Sequence, residues 1–161
     1  MPEARNITME KRQISFSPPD ITEAEVSAVA AALRSGWITT GPRTKEFEKR
    51  IAKLCVTDKA VALGSATVCL ESILRFLGIG AGDEVITSAY TYTASASPAV
   101  HVGATLKFID VAPDSFEMDY DVLEAAITEK TKVIVPVDIA GVPCDYDRIF
   151  DIVERKKALF H

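Results

Sequence analysis

A small polar triplet, Ser65, Ala66 and Thr67, lies between two apolar segments in the stretch LGSATVCLESIL, residues 63–74. If a helix begins there, its first N–H groups are unpaired and carry the positive end of the helix dipole. Together with two hydroxyl groups, such N–H groups suit a phosphate or a carboxylate. The plainer interpretation is an N-cap formed by Ser65 or Thr67, since serine and threonine are common caps. The triplet is therefore either an anion site or a plain N-cap, and the residues around it help to decide between these two interpretations.

The segments on either side of the triplet predict a strand, a tight turn and a helix. KAVAL, residues 59–63, is short and mostly apolar and is followed by Gly64, a pattern typical of a buried strand that ends abruptly. Leucine and isoleucine then recur at helical spacing, and Gly78 follows them as a C-cap. The candidate anion site is thus predicted at a strand-to-helix turn.

The rest of the chain alternates between helix and strand patterns. This alternation predicts an α/β fold, with an open, mostly parallel sheet flanked by helices, and no sequence feature divides the single domain expected over 1–161. The predicted elements are a helix from Thr22 to Gly36 with a capping box at Glu25, a helix after GPRT with Phe47, Ile51 and Leu54 buried, strands over 83–89, 105–111 and 132–141, and helices over about 95–102, from Asp119, and over about 145–157.

The last four residues, ALFH at 158–161, have the pattern of a strand that has just begun. A sheet position left unfilled would leave the edge of the neighbouring strand unpaired. We therefore expect the chain to be a fragment of a longer protein.

Composition excludes several classes of function. The chain has 161 residues, 48% of them apolar, which is enough for one domain with a buried core. Its formal net charge of −5 argues against a broad surface for nucleic acid or anionic membranes. Neither a signal peptide nor a membrane span is indicated. The three cysteines contain no CxxC pair, so neither a disulfide framework nor a zinc site is predicted. We expect a cytoplasmic protein with no metal, nucleic-acid or membrane partner.

Five motifs occur in order with short gaps: SGWITTGPRTKEFEKRIAKL, ALGSATVCLESIL, GIGAGDEVITSAYTYTASAS, FIDVAPDSFEMD and VIVPVDIAGVPCDYD. Together they resemble the DegT/DnrJ/EryC1/StrS family of sugar aminotransferases, which have the type I fold and use pyridoxal 5'-phosphate (PLP). The resemblance runs from about Ile14 to the last residue and covers only the N-terminal part of the family's large domain. It implies a truncated large domain of a PLP-dependent transferase.

The resemblance assigns a cofactor role to the triplet. The family has serine or asparagine, then glycine, threonine and alanine, at the turn aligned with residues 65–68, and it holds the cofactor phosphate at that helix start. Thr67 matches the family pattern, whereas Ala66 replaces the commoner glycine. An alanine methyl is compatible with a phosphate-binding N–H if φ stays negative. The resemblance therefore implies that Ser65, Ala66 and Thr67 bind the cofactor.

The resemblance also assigns three further residues to the site. Tyr92 aligns with the aromatic residue that stacks on the cofactor ring, just after a strand, where ligands bind in open α/β sheets. The alternative for Tyr92 is an aromatic side chain that only packs beneath a loop. In GWITTGP, the resemblance implies a substrate-side role for Thr39 and Thr40.

The groups that carry the chemistry in this family have no match in the chain. These groups are the lysine that forms the Schiff base and the aspartate that pairs with the pyridine nitrogen, and both are expected beyond the position of His161. No lysine stands in the matching sequence context; those considered are Lys59, Lys107, Lys130 and Lys132. No catalytic residue is therefore assigned, and we expect the fragment to be inactive.

The leading hypothesis for the complete protein is an aminotransferase that acts on a nucleotide-linked keto sugar with an amino donor, as a homodimer. Two alternatives stay open. The first alternative is a sugar dehydratase of the same fold, since some relatives replace the lysine and use the aminated cofactor, PMP, for dehydration. The second is a non-catalytic α/β binding or regulatory domain, which would need no lysine.

Overall fold

The computed structural model describes residue 15 and residues 17–157, so the fifth strand predicted at 158–161 lies outside the described residues. The chain falls into two compact units, divided between Ala62 and Leu63. The single domain expected over 1–161 stays a prediction.

The described residues of the first unit form two helices, α1 (Glu23–Arg34) and α2 (Pro42–Leu54). The predicted capping box of α1 is confirmed, since the Thr22 hydroxyl accepts from the Ala24 N–H at 3.2 Å and the Glu25 carboxylate accepts from the Thr22 N–H at 2.7 Å.

The predicted buried face of α2 is wrong for two of its three residues. Phe47 and Leu54 are exposed and Ile51 is half-buried, while Ala52 is the one buried residue of the helix. The physical reason is that α2 makes no extensive contact with α1, the other helix among the described residues of the first unit. The spacing of the apolar residues predicted the helix correctly, but it does not show whether another element covers the apolar face.

The strand predicted at 59–63 is also absent. Val61 is exposed, and the Ala62 N–H donates to the Glu48 carboxylate at 2.9 Å instead of to a neighbouring strand. A strand needs a partner for its row of N–H and C=O groups. The described residues of the first unit contain no strand that could pair with this segment.

The second unit, over its described residues up to 157, is built on a parallel sheet of three strands, β1 (Glu84–Ser88), β2 (Thr105–Ile109) and β3 (Thr131–Val135), in the order β2-β1-β3. Every residue of the central strand β1 is buried. Four helices flank the sheet, namely α3 (Ala66–Phe76), α4 (Ser97–His101), α5 (Tyr120–Ala126) and α6 (Tyr146–Lys156). The predicted open parallel sheet flanked by helices is confirmed.

Side-chain alternation along β1 distributes the helices over the two faces of the sheet. Val85 belongs to a core cluster with Leu74 of α3 and Ala99 of α4. Ile86 belongs to a second cluster with residues of α5 and α6, among them Leu123 and Ile149. Helices α3 and α4 therefore cover one face, and α5 and α6 cover the other.

Proline limits two of the predicted elements. Strand β3 ends at Val135 and not at 141, since Pro136 has no N–H for the ladder. The helix predicted over 95–102 is divided into a 3₁₀ turn at Thr93–Ser95 and α4, in whose first turn Pro98 lies. None of the helices in the described part of the chain is long and apolar enough to cross a bilayer.

Candidate functional site

Ser65 is the N-cap of α3. Its backbone is extended, and its hydroxyl oxygen accepts from the Val68 N–H at 3.2 Å, so the plainer interpretation of the triplet is confirmed. The first helical hydrogen bond of α3 runs from the Cys69 N–H to the Ser65 carbonyl at 3.1 Å. The N–H groups of Ala66 and Thr67 precede that bond and have no acceptor within the helix. The cap therefore leaves two N–H groups and the Thr67 hydroxyl for an anion.

Ala66 is compatible with an anion at this turn. It is the first residue of α3, and it is not one of the residues with positive φ in the described part of the chain. Ala66 therefore has the negative φ at which an alanine methyl is compatible with a phosphate-binding N–H.

Tyr92 follows the carboxyl end of β1 and is exposed over 82% of its surface. Its backbone is held in place, because the Ser95 N–H donates to the Tyr92 carbonyl at 2.9 Å and the hydroxyls of Thr91 and Ser95 lie 2.8 Å apart. A side chain this exposed does not pack beneath the loop. The structure thus presents an aromatic ring on a fixed turn.

The structure brings the turn after β1 and helix α3 together. A short connection joins the end of α3 at Phe76 to the start of β1 at Glu84, and α3 packs on the sheet through Leu74. The helix therefore runs antiparallel to β1, and its N-terminus lies toward the carboxyl ends of the strands. Helix α3 also contacts the 3₁₀ turn that follows Tyr92. The triplet and Tyr92 are thus carried by neighbouring elements at one edge of the sheet.

Thr39 and Thr40 are exposed residues of the first unit and lie in the turn between α1 and α2. The indole N–H of Trp37 donates to the Thr40 carbonyl at 3.0 Å. A Cβ atom on Gly41 would collide with the indole ring of Trp37, so a larger residue at this position would displace the ring from the turn. The structure gives these threonines a defined turn, but they are no part of the geometry established for α3 and Tyr92.

A cluster of polar groups in the loop after β3 was not predicted from the sequence. The Asp138 carboxylate accepts from the Cys144 N–H at 2.9 Å and from the Tyr146 hydroxyl at 3.0 Å. These two donors hold the pKa of Asp138 below its ordinary value. The available signal was an aspartate within three residues of the end of a parallel strand, where polar groups meet a ligand site.

Three comparisons with known proteins bear on this site. The model of the DegT/DnrJ/EryC1/StrS aminotransferase family matches residues 19–160. The chain belongs to this family. Because the match includes both α3 and the loop after β1, the candidate site lies within the part of the chain that the family shares.

Among curated relatives, the chain is 45% identical over 139 residues to the UDP-4-amino-4-deoxy-L-arabinose–oxoglutarate aminotransferase of Shewanella sediminis. It is 40% identical over 142 residues to the spore coat polysaccharide biosynthesis protein SpsC of Bacillus subtilis. These matches cover 86% and 88% of the chain but only 36% of each relative. The chain thus spans little more than a third of the length of these family members.

Among solved structures, the candidate sugar aminotransferase Spr1654 from Streptococcus pneumoniae in its PLP form is 61% identical to the chain, with a TM-score of 0.88. That match covers 93% of the chain and 38% of the Spr1654 chain. The same protein is also known in a PMP form and an apo form, with the same TM-score. The fold of this family member is therefore shared over nearly all of the chain.

Proposed function

We propose that the chain is the part of a PLP-dependent sugar aminotransferase that binds the phosphate of the cofactor and stacks on its ring. The substrate of the complete protein is a nucleotide-linked keto sugar, which exchanges an amino group with an amino donor. Support comes from the family assignment and from a relative named for a UDP-linked amino sugar. A cytoplasmic homodimer is part of the same proposal.

The residues at the carboxyl edge of the sheet fit the two parts of the cofactor. The free N–H groups of Ala66 and Thr67, at the positive end of α3, suit a phosphate dianion, and Ser65 fixes the turn that presents them. The exposed ring of Tyr92 offers a flat apolar face to a pyridine ring. When bound, PLP supplies the electron sink for amino transfer. This donor set is the observation that carries the proposal.

The proposal leaves the Schiff-base lysine outside this chain. The Lys107 ammonium lies 2.8 Å from the carboxylate of Glu84, the first residue of β1, and so points toward the amino edge of the sheet. Lys130 and Lys132 precede or begin β3 and lie toward the same edge. None of these three reaches the edge that carries Tyr92. We therefore propose that the chain alone is inactive and binds PLP without a covalent bond.

Thr39 and Thr40 are proposed to face the sugar substrate. Their support is the family resemblance of GWITTGP together with their exposure in a turn held by Trp37. Both hydroxyls are available to a sugar, whose hydroxyl groups need matching donors and acceptors.

The proposed function is tested by the affinity of the chain for pyridoxamine 5'-phosphate, which has no aldehyde and forms no imine with surface lysines. Calorimetry is expected to show one site, and Thr67→Val is expected to weaken binding about 10- to 150-fold, the scale of one hydrogen bond to a charged group. The matched control is Thr105→Val, since Thr105 is an exposed residue at the start of β2. Equal affinity of the Thr67→Val variant and the wild type would contradict the assignment.

A further inference from the structure

Asp138 holds together the loop that follows β3. Its carboxylate binds one backbone group and one side chain beyond the loop, because the Cys144 N–H donates to Oδ1 at 2.9 Å and the Tyr146 hydroxyl donates to Oδ1 and Oδ2 at 3.0 and 3.1 Å. Asp138 is exposed and takes part in no ion pair with another described residue. Its carboxylate therefore shapes the loop instead of neutralising a neighbouring cation.

The loop held by Asp138 has an unfavourable backbone conformation. Ala140 has φ 53° and ψ 24°, and Gly141 has φ 81°, so two consecutive residues are left-handed. A left-handed alanine costs about 1 kcal/mol or more and persists only where the surroundings impose it. Strain of this kind is concentrated at ligand sites.

The far end of the loop is anchored in the core. Cys144 is buried, and its thiol donates to the Val137 carbonyl at 3.2 Å. The Asp145 N–H donates to the hydroxyl of the buried Tyr120 at 2.7 Å. With both ends fixed, the segment between Asp138 and Cys144 has one defined course.

The loop leaves the sheet next to the loop that carries Tyr92. Strands β1 and β3 are neighbours, and their loops leave the same edge of the sheet. The buried Thr87 hydroxyl, next to the last residue of β1, donates to the carbonyl of Val135, the last residue of β3, at 2.9 Å. This bond fixes the origins of the two loops relative to each other.

We propose that Asp138 is a positioning residue of the cofactor site. Its carboxylate holds the strained turn at Ile139–Gly141, and this turn forms a wall of the site beside the cofactor ring that stacks on Tyr92. This inference rests on the proposed function. The wall lies on the side of β1 that faces β3, and the phosphate is held separately, by α3. Loss of the Asp138 hydrogen bonds therefore weakens contacts to the ring and leaves the phosphate contacts unchanged.

The test compares two probes, pyridoxamine 5'-phosphate and inorganic phosphate, on the wild-type chain and on Asp138 variants. Asp138→Ala is expected to weaken binding of pyridoxamine 5'-phosphate about 5- to 10-fold, the scale of one lost hydrogen bond, with phosphate affinity unchanged. Asp138→Asn keeps an oxygen acceptor and is expected to restore most of the affinity. Tyr146→Phe removes one donor, and we expect a smaller loss. Asp147→Ala, which removes an exposed carboxylate from the first turn of α6, is the control.

Three results separate the possible failures. Equal affinity of Asp138→Ala and the wild type for pyridoxamine 5'-phosphate would overturn the positioning role while leaving the proposed function intact. Equal weakening of the affinities for both probes would also overturn the positioning role, because a general loss of structure lowers both affinities. A wild-type chain that binds neither probe would contradict the proposed function itself, and the positioning role with it. If Asp138→Ala does not fold by circular dichroism, Tyr146→Phe decides by the same criteria.

Discussion

The two edges of the sheet in the second unit use their polar groups in opposite ways. At the amino edge, the Glu84 carboxylate accepts from the Lys107 ammonium at 2.8 Å and from the hydroxyls of Thr128 and Thr131 at 2.6 and 3.1 Å. Glu84 is only 9% exposed. At the carboxyl edge, the first N–H groups of α3 have no helical acceptor, and the Tyr92 ring faces solvent.

This difference separates structure from binding. Buried and half-buried polar groups that satisfy one another join the three strands, since Glu84, Lys107 and Thr131 belong to β1, β2 and β3. At the carboxyl edge, the N–H groups without a helical acceptor and the exposed aromatic ring lie on fixed turns and are available to a ligand. Substitutions at the amino edge should therefore change stability, and substitutions at the carboxyl edge should change binding.

The largest expected effect is that of Glu84→Ala. The substitution leaves the Lys107 ammonium without its partner and two hydroxyls without their acceptor. We expect the free energy of unfolding to fall by about 3 kcal/mol. This value is at the lower end of the range for a broken buried ion pair, because Lys107 is partly exposed. Urea denaturation measures it. The matched control is Glu154→Ala, which breaks the exposed pair with Lys157 and should cost less than about 1 kcal/mol. Equal losses would contradict a structural role for the amino edge.

The second effect concerns binding at the carboxyl edge. Tyr92→Ala should weaken the affinity for pyridoxamine 5'-phosphate by about 1 to 3 kcal/mol, the scale of aromatic burial and stacking, with the melting temperature unchanged. Tyr90→Ala is the control, since Tyr90 is also exposed but stacks on Phe116 with ring centroids 5.3 Å apart. Unchanged affinity in Tyr92→Ala would remove the ring-stacking role.

A smaller effect is expected at the cap of α3. Ser65→Ala removes the acceptor of the Val68 N–H and should lower the free energy of unfolding by about 1 kcal/mol, whereas Ser65→Gly should cost only a few tenths. Thermal unfolding of both variants measures the difference. A Ser65→Ala variant as stable as the wild type would show that the cap does not hold the turn.

The smallest effect is the pH dependence of the Glu84 network. Burial raises the pKa of Glu84, but hydrogen bonds from Lys107, Thr128 and Thr131 lower it, and the net pKa is below its ordinary value. The ionised carboxylate therefore stabilises the fold above its unfolded pKa, and this contribution is lost as the pH falls through the lower folded pKa. The stability difference between wild type and Glu84→Gln should shrink from pH 7 into this acidic range. A constant difference would contradict the ionic role of Glu84.

Local signals predicted most of the fold. Caps follow from one or two nearby residues, and the helices predicted to begin at Thr22 and Asp119 are capped by these residues in the structure. The parallel strands follow from apolar segments between helices. The strand predicted at 59–63 is absent because pairing depends on a partner that no local pattern supplies.

The candidate site was predictable only in part. The Ser65–Thr67 turn combines a cap signal with a family motif over a few consecutive residues, and Tyr92 follows a strand end. The Glu84 network and the Asp138 cluster join residues that are distant in sequence or separated by a loop, and each residue type is ordinary at its own position. Only the register of the strands and the course of the loop show that these groups meet.

The most direct test of the contrast between the two edges is an NMR titration of the isotope-labelled chain with pyridoxamine 5'-phosphate. We predict that the amide signals of Ala66, Thr67 and Thr93 shift on binding, while those of Glu84, Lys107 and Thr131 stay unchanged. Shifts confined to the amino edge, or spread equally over both edges, would contradict the assignment of the carboxyl edge as the ligand site.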